Sequence, residues 1–288
     1  MRGLYDFKKD IVVVVTRITP NLIDFLQDDF NFELTLRLVN DLKLQTKIRQ
    51  LKPQLRYKQL ISVLFTRFTL NRALENSLSQ DISYKYNSYG KPSIHGLAFN
   101  TSSSNDILAV VLHSSPVGID LSHSMQNVSS ENYLKQFEPI FHKAELTQVD
   151  SYFKFNHFWT LKEAFTKLIG CGLNVELSDF YFTLSVDDEF NEDDYCLCKC
   201  SNSDEDSSVV DVRWYDKITT NTDKLFEDKN EFVEGLANEF YCYSTVIDKA
   251  YGDRLPVICS VATQQRTAKI KTYEVNFLTL LERQMQNW

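Results

Sequence analysis

Trp159, Glu163 and Lys167 follow one another at i, i+4 and i+8. On a helix, that spacing sets an aromatic ring, a carboxylate and an ammonium in one row. Phe158, Leu161, Ala164, Phe165, Leu168 and Ile169 share the opposite, oily arc, while Lys162 and Thr166 flank the row. Alone, the row makes an i, i+4 Glu–Lys pair of the kind that stabilises a solvated helix by about 0.2–0.5 kcal/mol. Chemistry beyond an ion pair requires a second, independent cluster facing it.

One candidate for that cluster is Asp120. In 117–122 the apolar residues Val117, Ile119 and Leu121 alternate, which forces Gly118, Asp120 and Ser122 onto the other face of a strand, with Gly118 leaving space beside the carboxylate. On its own, this Asp could equally face water or cap a turn. A second candidate is cationic. Between Asp41 and Glu75 there is no acidic residue, yet Lys43, Lys47, Arg49, Lys52, Arg56, Lys58, Arg67 and Arg72 all fall there. Any one of these is most simply a solvated side chain, but a run without compensating carboxylates points to an anion site.

The elements that must position these groups follow from the apolar pattern. Ile11–Val15 is β-branched and reads as a buried strand. Leu55, Leu60, Val63, Leu64 and Phe68 recur at helical spacing, which predicts an amphipathic helix with its cations on the exposed side. Gly90-Lys91-Pro92 marks a turn presenting Lys91. The runs 107–112 and 117–122, separated by 113–116, are predicted to pair as a hairpin. Gly170 and Gly172 should stop the Trp159 helix. Further strands are expected at 179–185, 209–215, 240–246 and 256–261, and a helix within 273–285. Asp187-Asp188-Glu189, Glu192-Asp193-Asp194 and the polar island 201–208 read as solvated insertions.

Composition sets the outer bounds. A chain of 288 residues with 43% hydrophobic content can bury a large core. A net charge of -8 argues against indiscriminate nucleic-acid binding. The apolar runs are too short for a membrane span or a secretory core, so a cytoplasmic location is expected. Cys196, Cys198 and Cys200 alternate on one strand face and lack the spacing of a zinc site, so the cysteines read as small apolar residues.

Four blocks then occur in order: Gly90-Lys91-Pro92, Phe99-Asn100-Thr101-Ser102-Ser103-Ser104, Val117-Gly118-Ile119-Asp120, and Phe158 through Lys167. Together they resemble the signature blocks of phosphopantetheinyl transferases, of the two-half monomeric type that activates synthetases and the fungal aminoadipate-semialdehyde dehydrogenase. The resemblance is good over roughly 47–185. It implies an α+β fold of two pseudo-symmetric halves, 1–124 and 125–288. Each half would be an antiparallel sheet with a packed long helix, and the active site would lie in the cleft between them. It also implies transfer of phosphopantetheine from coenzyme A to a serine of an apo carrier-protein domain, with Mg²⁺ as cofactor and release of adenosine 3′,5′-bisphosphate. The client it implies is an aminoadipate reductase of lysine biosynthesis. No nucleic acid or membrane partner is expected, and the protein is expected to be a monomer.

By the same resemblance Asp120 and Glu163 bind the metal, Glu163 and Lys167 are catalytic, and Lys162 faces the same cleft. Arg49, Arg56, Lys58, Lys91, Pro92, Ser102, Ser103, Lys162 and Lys167 bind coenzyme A. Two positions depart from the family pattern. Ser103 stands where the family has a phosphate-contacting His, and Ser122 where it has a second acid. His95, His113 and His123 read as surface or turn residues rather than substitutes. These departures leave open a catalytically lapsed homologue that binds carrier domains.

Overall fold

The computed structural model describes residues 5–125, 132–186, 189–192, 198–204 (backbone only), 206–266 and 269–286. In chain order the regular elements are β1 (Ile11–Arg17), α1 (Pro20–Gln27), α2 (Asp29–Arg37), α3 (Leu42–Gln50), α4 (Pro53–Ala73), β2 (Lys85–Tyr86), β3 (Pro92–Ser93), β4 (Ala98–Ser104), β5 (Ile107–His113), β6 (Val117–Leu121), α5 (Tyr133–Phe137), α6 (Lys143–Leu146), α7 (Tyr152–Ile169), β7 (Tyr181–Leu184), β8 (Cys198–Asp204), β9 (Ser207–Asp211), β10 (Ile218–Asn221), α8 (Asp223–Glu227), β11 (Tyr241–Asp248), β12 (Val257–Thr263), β13 (Ile270–Val275) and α9 (Phe277–Gln286). The protein is therefore α+β, as expected, with largely antiparallel pairing.

Two sheets carry the architecture. One has six strands in the order β4-β5-β1-β13-β9-β8, and the other three in the order β11-β12-β6. Among the described strands, only β1 and β13 pair in parallel. The β-branched run of β1 sits centrally and is buried on both faces, which is why it reads as continuous rather than alternating. Val12 and Val14 pack with Leu22, Leu64 and Phe277 beneath the α1–α4 and α9 layer. Ile11, Val13 and Val15 pack instead with Ile119, Val261 and Cys259 of the three-stranded sheet. The far face of that second sheet, through Val246, Ile258 and Ala262, packs on Phe158, Leu161 and Phe165 of α7. The layers thus run helices, sheet, sheet, helix.

Each sheet borrows from the other end of the chain. β6 hydrogen-bonds to β12, whereas β13, β9 and β8 extend the sheet of β1, β4 and β5. The predicted hairpin of 107–112 with 117–122 does not form. β5 is enclosed between β1 and β4, so the chain crosses at 114–116 into the second sheet and β6 takes its ladder from β12.

The polar island at 201–208 also departs from expectation. Residues 201–204 end β8 and 207–208 begin β9, and between them Asp206 is buried, accepting from both Arg72 (2.7 Å) and Arg283 (3.1 Å). Asp187, Asp188, Asp193, Asp194 and Cys196 lie outside the described residues, as do the side chains of Cys198 and Cys200. Cys171, Cys242 and Cys259 are free and buried, in keeping with an apolar role. Among the described residues, no helix is long and apolar enough to cross a membrane.

Candidate functional site

α7 starts at a Ser151 side-chain cap and ends at Gly170, which adopts the left-handed conformation (φ 77°) that favours glycine at a helix end. Most of its surface is covered by β6 and β12 on one side and by the rings of Phe180, Phe182 and Phe240 around Phe165 on another. Between Phe155 and Leu168, what remains partly open is the narrow row of Trp159, Glu163 and Lys167. Trp159 rests edge-on against Phe137, with ring centres 5.7 Å apart.

Gly118 brings the second cluster to this row. A side chain there would meet the backbone of α7, with a Cβ only 2.1 Å from Ala164 O and 2.5 Å from Leu168 N. Gly118 therefore leaves room for the helix itself rather than for the Asp120 side chain. That close approach places Asp120, two residues on, beside Lys167, whose Nζ lies 2.6 Å from Asp120 Oδ1. Ser102 of β4 ties the group together. Its hydroxyl donates to Asp120 Oδ1 (2.9 Å) and accepts from Leu121 N–H (3.1 Å) and from Lys167 Nζ (3.3 Å).

The expected Glu163–Lys167 pair is therefore replaced by an interstrand-to-helix pair. Among the described residues no hydrogen bond or ion pair engages the Glu163 carboxylate. Burial, reinforced by the nearby Asp120 charge, holds its carboxyl above the usual carboxylate range, against the opposing pull of Lys167.

These groups line a cleft of about 450 Å³ whose other walls come from Ser62, Phe65 and Thr66 of α4, Thr101 and Ser103 of β4, and Ser122 and His123 after β6. A second cavity of about 510 Å³ adjoins it, sharing Ser62, Ser103, Leu108 and His123 and adding Lys58, Leu51, Leu55 and Asn105. Lys58 donates to Asn105 O on its wall. The structure thus gathers Asp120, Glu163, Lys167, Ser102, Ser103 and Lys58 around one continuous space, built where both long helices meet both sheets.

Other sequence-predicted residues lie elsewhere. Lys162 is fully buried on the far side of α7, paired with Glu145 at 2.9 Å and donating to Leu177 O and Phe180 O. The flank of the wheel that it occupies is covered by the segment before β7, so it cannot reach the cleft. Arg49 pairs with Glu33 at 2.6 Å, and Arg56 lies over the rings of Phe32 and Tyr57 at 4.6 and 4.9 Å. Arg67 is buried and donates to Leu38 O, so the cations of α4 do not all face solvent. Lys91 caps the C-terminal end of α7 by donating to Leu168 O (2.9 Å), and burial pushes its ammonium down to about 8. Pro92 pairs opposite Tyr86 in the small β2–β3 hairpin, away from the cleft lining.

Sequence reasoning missed Ser62 and Thr66, whose i, i+4 spacing on α4 could have been paired with the Asp120 strand only by knowing the packing. It also set His123 aside, although His123 lines both cavities.

The donor set suits a hard cation. Oxygen ligands are what Mg²⁺ takes, usually one or two carboxylates with retained waters. Glu163, half-buried and without a donor, stands in the cleft with Asp120. Ser122 adds no charge, and its hydroxyl is committed to β12, accepting from Ile258 N–H at 2.8 Å. Among the described residues, no three His, Cys, Asp or Glu side chains gather elsewhere or here, so any cation would rest on two carboxylates.

A family model described as the 4'-phosphopantetheinyl transferase superfamily matches residues 116–212, the stretch that holds Asp120 and α7. The chain is 31% identical over 172 residues to the 4'-phosphopantetheinyl transferase gsp of Aneurinibacillus migulanus, a match covering 56% of this chain and 67% of that protein. It is 28% identical to the L-aminoadipate-semialdehyde dehydrogenase-phosphopantetheinyl transferase of Candida glabrata, over 54% of this chain and 64% of that protein. The protein of the same name in Saccharomyces cerevisiae matches at 28% over 70% of this chain and 83% of its own length.

Proposed function

This chain belongs to the 4'-phosphopantetheinyl transferase superfamily, a family of transferases, and we propose that it is an active member. It moves 4'-phosphopantetheine from coenzyme A to a serine of an apo carrier-protein domain and releases adenosine 3′,5′-bisphosphate. The observation that carries this reading is the meeting of Asp120, Glu163 and Lys167 in one cleft, with Ser102 fixing the first to the third.

In the proposed step the serine oxygen forms a bond to the phosphorus bearing the pantetheine arm. The bond from that phosphorus to the bridging oxygen breaks, and the serine proton passes to Glu163, directly or through water. Asp120 and Glu163 would hold a Mg²⁺ ion, whose chemistry there would be to neutralise pyrophosphate charge. Lys167 exchanges Asp120 for the pyrophosphate and stabilises the charge that grows on the leaving group. Lys58 and Ser103 bind the nucleotide end from the adjoining cavity.

The two yeast relatives support an aminoadipate reductase as client. We further read residues 1–124 and 125–288 as the two halves of a monomer acting in the cytoplasm. A lapsed carrier-binding homologue is disfavoured, because such a protein has no need to keep a desolvated carboxylate beside an ion-paired Asp. Incubation with coenzyme A, Mg²⁺ and an apo carrier domain should raise the carrier's mass by one phosphopantetheine. No mass change on any of several carriers would refute the activity.

A further inference from the structure

We infer that His123 binds a phosphoryl group of the ligand at the junction of the two cavities, beside Ser103. The inference rests on the proposed function and deepens it by naming a further binding residue.

The two cavities meet at Ser62, Ser103, Leu108 and His123. Three of these carry polar side chains, and none of the three has a hydrogen-bond partner among the described residues. An exposed imidazole beside two unengaged hydroxyls is a set of donors without an acceptor.

The other four imidazoles are occupied or remote. His113 is buried against Ser115, His157 is buried with Nε2 2.8 Å from Ser244 Oγ, and His142 caps α6 and stacks on Tyr181. His95 lines a separate cavity near the N-terminus. His123 alone among them opens onto the cleft. Its backbone is held just before it, where Ser122 N–H donates to Ile258 O (2.9 Å), so the imidazole follows a fixed strand end.

Charge makes the contact necessary. Facing the joined cavities are Asp120 and Glu163 against Lys167 and Lys58, a balance with no surplus for a polyanion. Even with a divalent cation on the two carboxylates, a ligand carrying a pyrophosphate and a further phosphate on its nucleotide needs donors between Lys167 and Lys58, and the junction is that place.

Titration calorimetry with coenzyme A and Mg²⁺ tests this on the full chain. His123→Ala should weaken coenzyme A binding roughly tenfold, the loss of one charge-assisted hydrogen bond. Adding Ser103→His to that variant should recover most of the loss, since it returns an imidazole to the same junction. His95→Ala should bind like the parent. Unchanged binding by His123→Ala would overturn the inference while leaving the proposed activity standing. So would a loss that Ser103→His fails to correct, because the imidazole would then be shaping the loop. A parent protein that does not bind coenzyme A at all would remove the proposed function, and this inference with it.

Discussion

Gly118→Ala tests whether the contact between β6 and α7 sets the geometry of the cleft. The new Cβ would lie 2.1 Å from Ala164 O and 2.5 Å from Leu168 N, both backbone atoms that no rotamer change can move. Ordinary contact begins at 3.4 Å, so strand and helix must part by about 1.3 Å at this point. Asp120 lies two residues along the strand, and Glu163 and Lys167 flank Ala164 on the helix, so the separation falls across the 2.6 Å Lys167–Asp120 contact. Overpacking of this kind costs about 1–3 kcal/mol. At roughly 2–4 °C per kcal/mol for a chain near this size, the melting temperature should fall by several degrees. Misplacing reacting groups by ~1 Å costs on the order of 100-fold in rate, so the loss of activity should far exceed the loss of folded protein. The assay is the initial rate of carrier labelling beside a thermal melt. Ile119→Val serves as a control that removes a buried methylene from the same strand at ~0.5–1.5 kcal/mol without touching α7. Gly118→Ala with the parent's rate and melting temperature would refute the claim that this approach positions the site.

Glu163→Gln should abolish transfer. It should also raise the melting temperature at neutral pH, because a carboxyl held above its ordinary value stabilises the fold only while protonated, and that contribution is lost as pH rises through the folded value. The gap should close as pH falls below the ordinary carboxylate range, and melts across pH showing the parent as the more stable protein at neutrality would contradict this. Lys58→Ala should raise the coenzyme A requirement, most at low salt where its charge is least screened, whereas Arg49→Ala should not, its guanidinium being engaged by Glu33. Saturation curves that move equally for both would remove Lys58 from its assigned place. Glu145→Leu leaves the Lys162 ammonium buried alone and should cost about 3–5 kcal/mol in urea unfolding. Glu145→Leu with Lys162→Met should recover most of that, and a double variant no better than the single would contradict the pairing.

What the sequence disclosed follows from range. The row of Trp159, Glu163 and Lys167 is a matter of helical period, and the burial of β1 on both faces is written in five consecutive β-branched residues. Which flank of a helical wheel is covered depends on other elements. Lys162 and Glu163 are neighbours in sequence, yet the approach of α6 and the segment before β7 buries the first while the cleft opens onto the second. Pairing between strands has the same character. Nothing local to 107–122 reveals that β5 is already satisfied by β1 and β4, so the short link between β5 and β6 reads as a hairpin turn. The cations of 43–72 scatter for the same reason. Glu33, Asp206 and the ring of Phe32, all distant in sequence from their partners or on other elements, each take one of them.

The ion pair at the centre of the site shows how such long-range contacts decide function. An i, i+4 Glu163–Lys167 pair would leave both side chains satisfied on one helix. Because β6 crosses α7 at Gly118, Lys167 instead reaches Asp120, which also accepts from Ser102. Asp120 then has two donors and Glu163 has none, although Glu163 is half-buried and stands near a second carboxylate. One ammonium cannot satisfy two acids in this arrangement. The cleft therefore holds a carboxylate whose charged form is disfavoured by burial and by the Asp120 charge. Under the proposed function, a divalent ion on Asp120 and Glu163 would relieve that and leave Lys167 to an anion at the same time. The raised carboxyl of Glu163 and the borrowed partner of Lys167 are thus two consequences of a single close approach, made possible by the missing side chain at residue 118.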